Sequence, residues 1–128
     1  MHCPLCGKDH EVEERERTTS LIIKGQEVTY AERYYLCRNA SEDENEFETG
    51  AMSNANLLKA RDAYRIQNGL LTSDEMVKLR ESCGLSQVDL AKQLGWEESA
   101  ISRYESKAIQ DEACDAMLRR ILSDPFRA

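Results

Sequence analysis

The sequence predicts an α+β chain of two small domains. An N-terminal three-stranded antiparallel sheet carries a cysteine knuckle, and an all-α domain follows it. Three observations lead there. Cys3-Pro4-Leu5-Cys6-Gly7 opens the chain and is followed by a strand-like tract from about Val12 to Cys37. From Thr72 onward the apolar residues fall at helical spacing, punctuated by cap-like residues. The length of 128 residues suits one ordinary domain or two small ones. The expected limits are 1–53 for the β domain, 54–71 for a connector helix and 72–128 for the helical domain.

In the first part, Leu21-Ile22-Ile23, Lys24-Gly25-Gln26 and Glu27-Val28-Thr29-Tyr30 read as a hairpin, with Gly25 supplying the turn. Tyr34-Tyr35-Leu36 favours extended structure through its aromatic content and is taken as the third strand. Five cysteines do not make a pure disulfide framework, and clustered cysteines in a reducing cytosol more often hold metal. Cys3-x2-Cys6 presents two thiolates to one tetrahedral ion, and Cys37 ends a strand that can return to it. A structural zinc site takes four ligands, and a second Cys-x2-Cys would need a cysteine where Ala40 stands. His10 is the best candidate for the fourth ligand, since three cysteines and one histidine are a standard zinc set. His2 is badly placed next to a ligand, and Glu42 or Asp43 are weaker alternatives. The expected site is therefore Cys3, Cys6, His10 and Cys37 around a structural Zn2+, the alternative being a metal-free knuckle held by packing. Domains this small often need such a staple. Cys83 and Cys114 read as small buried apolar residues.

Residues 41–50 are acidic with one aromatic, a pattern for a solvated loop or for a surface that meets a basic partner. Residues 54–68 switch to helical spacing through Leu57, Leu58 and Tyr64, and Asn68-Gly69 ends that helix. Thr72 with Glu75 fits a capping box, and Ser86 with Asp89 makes a similar start. Cys83-Gly84 and Gly95-Trp96 are breaks. A third short helix is expected over 97–105, with Ile101 and Tyr104 facing inward. Asp111 caps a last helix that Pro125 stops.

The segment Gly84 to Glu105 is the most specific signal. Ala91 is small enough for a second helix to cross close above it, and Gly95 permits the positive φ of a tight interhelical turn. Leu90, Leu94 and Ile101 fill the wedge between the two helices, which leaves the second free to lie in a major groove. This is a helix-turn-helix pattern; the alternative is a helical bundle that touches no DNA. Bulk charge gives it no help. Residues 1–71 hold 9 basic and 13 acidic residues, net −4, and 72–128 hold 8 and 11, net −3. Non-specific polyanion binding is thereby disfavoured, and DNA binding has to come from a local face presented by a dimer.

The segment resembles the Cro-repressor-like (XRE, lambda-repressor-like) family, whose Gly-Leu-Ser-Gln, Leu-Ala, Leu-Gly and Ile-Ser-Arg-Tyr-Glu pattern stands at Gly84–Gln87, Leu90-Ala91, Leu94-Gly95 and Ile101–Glu105. The resemblance implies that Gln87 clasps phosphate, that Ser99 and Arg103 are exposed recognition positions, and that Ser102 offers a hydroxyl to phosphate. Arg103 can pair bidentately with guanine, or else with a nearby acid such as Glu105. Lys107, just beyond, is expected to contact phosphate. Glu97 and Glu98 depart from the pattern: they suit a helix N-terminus through its dipole but repel phosphate.

The order of parts, from the Cys-x2-Cys knuckle through a small sheet ending in Tyr35-Leu36-Cys37 and a connector helix to a Cro-like domain, is similar to the MqsA (YgiT-type) antitoxin family. The departure is Ala40, where that family's second knuckle ends in cysteine. The resemblance implies an N-terminal zinc domain that neutralises a toxin, commonly an mRNA interferase, and a C-terminal domain that dimerises and represses its own operon. The acidic N-terminal half suits a basic toxin. The alternative is a stand-alone phage-type or metal- or redox-responsive repressor with no toxin partner. A homodimer on a palindromic double-stranded operator is expected, with Met117, Ile121 and Phe126 either at its interface or closing the monomer core. No Gly-rich phosphate loop or Ser/His/Asp set points to an enzyme. With no apolar stretch near ~20 residues and no apolar signal region, the chain is expected to be cytoplasmic and away from membranes.

Overall fold

The computed structural model describes residues 1–40 and 45–122. Three strands and five helices follow in order: β1 (Glu13–Ile23), β2 (Gln26–Leu36), β3 (Glu46–Phe47), α1 (Gly50–Gln67), α2 (Ser73–Ser82), α3 (Gln87–Leu94), α4 (Ala100–Ser106) and α5 (Glu112–Leu122). Packing divides the chain into two units, Met1–Ala60 and Arg61–Ala128, and the division falls within α1. The architecture is α+β as expected, with a three-stranded antiparallel sheet followed by helices.

In the first unit β1 and β2 pair antiparallel over their whole length, from Glu13 opposite Leu36 to Ile23 opposite Gln26. Lys24 and Gly25 alone make the turn, both at positive φ (49° and 78°), the two-residue type I′ form whose twist matches paired strands. Leu21 opposite Val28 and Thr19 opposite Tyr30 share one face, and Val28 is buried there. The Arg17 guanidinium lies 4.2 Å over the Tyr34 ring.

One element differs from the sequence reading. Tyr34-Tyr35-Leu36 is the end of β2, not a third strand. Ala31-Glu32-Arg33 contains no turn residue, so nothing interrupts the pairing. The third strand is Glu46–Phe47, inside the acidic run read as loop; it pairs with Leu36 and Tyr35, and Phe47 sets its ring 5.4 Å from that of Tyr35. Further along β2, the Asn56 side chain stands in for a strand partner. Its Nδ2 donates to the Arg33 carbonyl (2.8 Å) and its Oδ1 accepts from the Arg33 amide (2.9 Å). Helix α1 begins earlier than expected, because Thr49 caps it: its Oγ1 accepts from the Met52 amide at 3.1 Å.

The second unit is built by local signals that act as read. Thr72 and Glu75 form a full capping box at the start of α2. Ser86 caps α3 through the Asp89 amide (3.0 Å), and Asp111 caps α5 through the Cys114 amide (2.7 Å). Leu71, Met76, Leu90, Ala91, Leu94, Ile101, Leu118 and Leu122 make the core, with Trp96, Tyr104 and Ile121 packed against it. Ile121 therefore helps to close this core, whereas Met117 is exposed. Phe126 and Pro125 lie outside the described residues. Cys83 and Cys114 are half-buried: the Cys83 thiol donates to the Leu122 carbonyl, and the Tyr104 hydroxyl donates to Cys114 Sγ.

A buried carboxylate joins the core's edges. Asp115 accepts from the Leu71 amide (2.9 Å), Arg119 Nε (2.8 Å) and Gln110 Nε2 (3.1 Å). Burial pushes its pKa up, but the Leu71 amide, Arg119 and Gln110 outweigh that and hold it below its ordinary value near 3.8. A depressed folded-state pKa contributes stability that is present above that ordinary value and is lost as pH falls through the folded one. The thermal midpoint of the second unit should therefore drop on acidification below about pH 4. Asp115→Asn should lower the midpoint at neutral pH and flatten that acid limb, as followed by circular dichroism.

Candidate metal centre and nucleic-acid interface

At the N-terminus the chain folds into a tight knuckle. The Gly7 amide donates to the Cys3 carbonyl and the Cys3 amide to the Lys8 carbonyl, both at 2.9 Å, with Gly7 at φ 71°. The His10 amide donates to the Met1 carbonyl at 3.0 Å, which carries His10 back toward the knuckle. Cys37, just past β2, is anchored by its amide on the Asn45 carbonyl (2.7 Å). The result gathers Cys3, Cys6, His10 and Cys37, with all four ligand atoms within 4.8 Å of one another.

The donor set fits a tetrahedral ion. His10 Nε2 stands 3.2 Å from Cys6 Sγ and 3.6 Å from Cys37 Sγ. The edge between sulfur and nitrogen ligands in a zinc tetrahedron is about 3.5 Å, given Zn–S of ~2.3 Å and Zn–N of ~2.0 Å. The other ring nitrogen, Nδ1, donates to the Glu11 carbonyl at 2.6 Å, which leaves Nε2 with a free lone pair aimed at the sulfurs. Cys3 and Cys37 are wholly buried. Burial raises the Cys37 thiol pKa, and Cys3 feels the same burial but is brought below its usual value by the Cys6 and Leu5 amides. The Lys8 amide chiefly lowers that of Cys6. Amides that point at sulfur favour thiolates, the form that binds metal. His2 is exposed and pairs with Asp9 in a small bridge, away from this cluster. Glu42 and Asp43 lie outside the described residues. Ala40 keeps a turn after Cys37, its amide 3.4 Å from the Cys37 carbonyl, but its methyl offers no ligand.

In the second unit the turn 95–99 joins α3 to α4 and opens on Gly95, at φ 72°, ψ 26°, the left-handed C-cap that ends α3 and lets the chain turn. Ala91 is wholly buried beneath the crossing, with Leu90, Leu94 and Ile101 beside it. Trp96 packs edge-on against Tyr104, ring centroids 5.7 Å apart, and braces the turn from the far side. Helix α4 is shorter than expected. Glu97 and Glu98 lie in the turn before it and not in its first helical turn, so no acid complements the dipole at its start.

The expected contact residues take these places. Gln87 opens α3, half-buried, and its amide donates to Glu105 Oε1 at 2.9 Å. Ser99 precedes α4 and is exposed, with its side chain making no cap bond. Ser102 and Arg103 are exposed on α4, and Lys107 is exposed at its C-terminal end. Arg103 is 56% exposed and lies 3.5 Å from Glu97, a loose surface pair that solvent largely screens. Glu105, the alternative partner for Arg103, instead turns inward. It forms a two-pronged, buried pair with Arg80 (Nε–Oε2 2.8 Å, Nη2–Oε1 3.1 Å) while holding Gln87. Sequence reasoning missed this triad, because Arg80 and Glu105 sit on different helices and no local spacing links them.

Comparison with known proteins agrees with this geometry. Residues 74–113 match the family model of a helix-turn-helix domain, from within α2 to the start of α5. No curated protein matches the chain. Among the described residues no helix is long and apolar enough to cross a membrane.

Proposed function

We propose that this chain is a sequence-specific, non-enzymatic transcriptional regulator that reads DNA with α4. The observation that carries the reading is the pair α3–Gly95–α4, closed on a buried Ala91 with Ser99, Ser102 and Arg103 left exposed. Gln87, Ser102 and Lys107 hold the phosphate backbone in this reading, and Ser99 and Arg103 face base edges. One short helix reads few base pairs, so a homodimer binds a palindromic operator in the cytoplasm. Losing a bidentate Arg–guanine contact costs ~1–3 kcal/mol of discrimination. Arg103→Ala should thus cut the preference for an operator fragment over random duplex by about tenfold or more in a gel-shift assay; unchanged preference would remove α4 as the reading helix.

The N-terminal unit, in the same proposal, is built on a structural Zn2+ held by Cys3, Cys6, His10 and Cys37, and it captures a toxin. The order of parts shared with the MqsA-type antitoxins supports this, as does the net −4 of residues 1–71, which suits a basic partner. The chain would then be the antitoxin and autorepressor of a toxin–antitoxin pair. Co-purification of the neighbouring gene's product checks that role. A chain that binds its operator but captures no neighbour is instead a stand-alone regulator.

A further inference from the structure

We infer that Arg65 is a positioning residue that clamps the C-terminal end of α4 and so sets the aim of its DNA-facing side chains; the inference rests on the DNA-binding reading above. Arg65 is 0% exposed, and every arm of its guanidinium is engaged inside the second unit. Nη2 donates to the Tyr104 carbonyl in the last turn of α4 (2.7 Å) and to the Ala108 carbonyl just past its C-cap (2.5 Å). Nε donates to Gln110 Oε1 (3.0 Å), and Nη1 to Asp62 Oδ1 (2.8 Å).

The Tyr104 carbonyl lies in the last turn of a helix, where carbonyls lack an intrahelical donor. Helix α4 has seven residues, ends on Lys107 at φ −136° without a left-handed glycine cap, and has no side-chain cap at its start. The Lys107 and Ala108 amides both fold back onto the Arg103 carbonyl at 2.7 Å, so the backbone of the main recognition candidate is part of the clamped turn. A cation at this end also complements the helix dipole.

The clamp is itself held. Asp62 accepts from the Ser73 amide (2.8 Å) and hydroxyl (2.5 Å) at the start of α2. Gln110 donates to the Leu71 carbonyl (2.8 Å) and to Asp115 on α5 (3.1 Å). Lysine offers one compact ammonium and cannot reproduce this fork. Buried ionic groups add little net stability compared with apolar packing, so a network this complete is better explained by the geometry it imposes.

The test uses the full chain with Arg65→Met and Arg65→Lys. The DNA probes are a duplex enriched from a random pool by the unmodified protein and a scrambled duplex of the same length. The expected result for either folded variant is a loss of about tenfold or more for the enriched duplex, on the scale of one lost base contact, and a clearly smaller loss for the scrambled duplex, which meets the clamped turn only through Lys107. Without DNA, hydrogen exchange at the Lys107 and Ala108 amides should rise about tenfold or more, while the Met76 and Leu90 amides hold. Should Arg65→Met not fold, Arg65→Lys gives the same readouts. Unchanged discrimination and unchanged exchange, or an equal loss on both duplexes, would overturn the clamp. If the unmodified protein enriches no duplex, the DNA reading falls, and exchange at Lys107 and Ala108 alone decides whether the clamp exists.

Discussion

With the proposed zinc site at Cys3, Cys6, His10 and Cys37, treatment with a strong chelator, or replacement of Cys37 with serine, is expected to unfold the sheet of the first unit. The reason is the size of its core. Besides Cys3 and Cys37, the only fully buried apolar side chains described in Met1–Ala60 are Val28 and Ala60. So little apolar burial does not offset the entropy of ordering strands of eleven residues each. Structural zinc sites supply an apparent ~10–16 kcal/mol in small metal-dependent domains, which makes binding and folding one event. Elemental analysis should give one zinc per chain. Amide signals of β1 and β2 should collapse on chelation and return with added Zn2+. A sheet that keeps its signals in metal-free protein would show that packing alone holds it.

The second large effect is expected at Glu105. Its carboxylate is almost wholly buried and pairs with an Arg80 guanidinium that is itself only slightly exposed. Glu105→Ala would leave that guanidinium with the Leu85 carbonyl as its remaining described hydrogen-bond partner. Removing one partner of a buried ion pair costs about 3–5 kcal/mol, whereas replacing both by apolar residues of similar volume is often neutral. Urea denaturation should show the single variant strongly destabilised, and the Arg80→Met/Glu105→Leu double variant should recover most of the loss. A single-variant loss under about 1 kcal/mol would place the pair among weak surface bridges. Gln87 adds a functional consequence. Its amide is oriented by Glu105, so even a well-folded double variant should bind duplex DNA less tightly.

What the sequence made legible was local. Thr72 with Glu75, Ser86, Asp111, Gly25 and Gly95 declare caps and turns through their own chemistry, and each acts where the spacing put it. Cys3 and Cys6 announce a knuckle for the same reason, and the expected His10 and Cys37 lie close beside them. What stayed hidden depends on partners distant in sequence. Glu46–Phe47 is a strand only because Tyr35 and Leu36 are there to pair with it. Glu97 and Glu98 look like a helix start by composition, yet Trp96 packs inward on Tyr104 and the helix begins only at Ala100. Glu105 reads only as an acid near Arg103, and nothing in the local spacing singles out Arg65. Both are buried by contacts 25 to 45 residues away.

Whether this chain reads DNA sequence through α4 is decided by selecting bound duplexes from a random-sequence pool with the full chain at physiological salt. The expected outcome is enrichment of an inverted repeat, its half-sites about 34 Å or a multiple apart, and a marked drop in that enrichment for Arg103→Ala. A pool that stays unenriched, or a repeat that Arg103→Ala selects as strongly as the unmodified protein does, would rule out α4 as the reading helix.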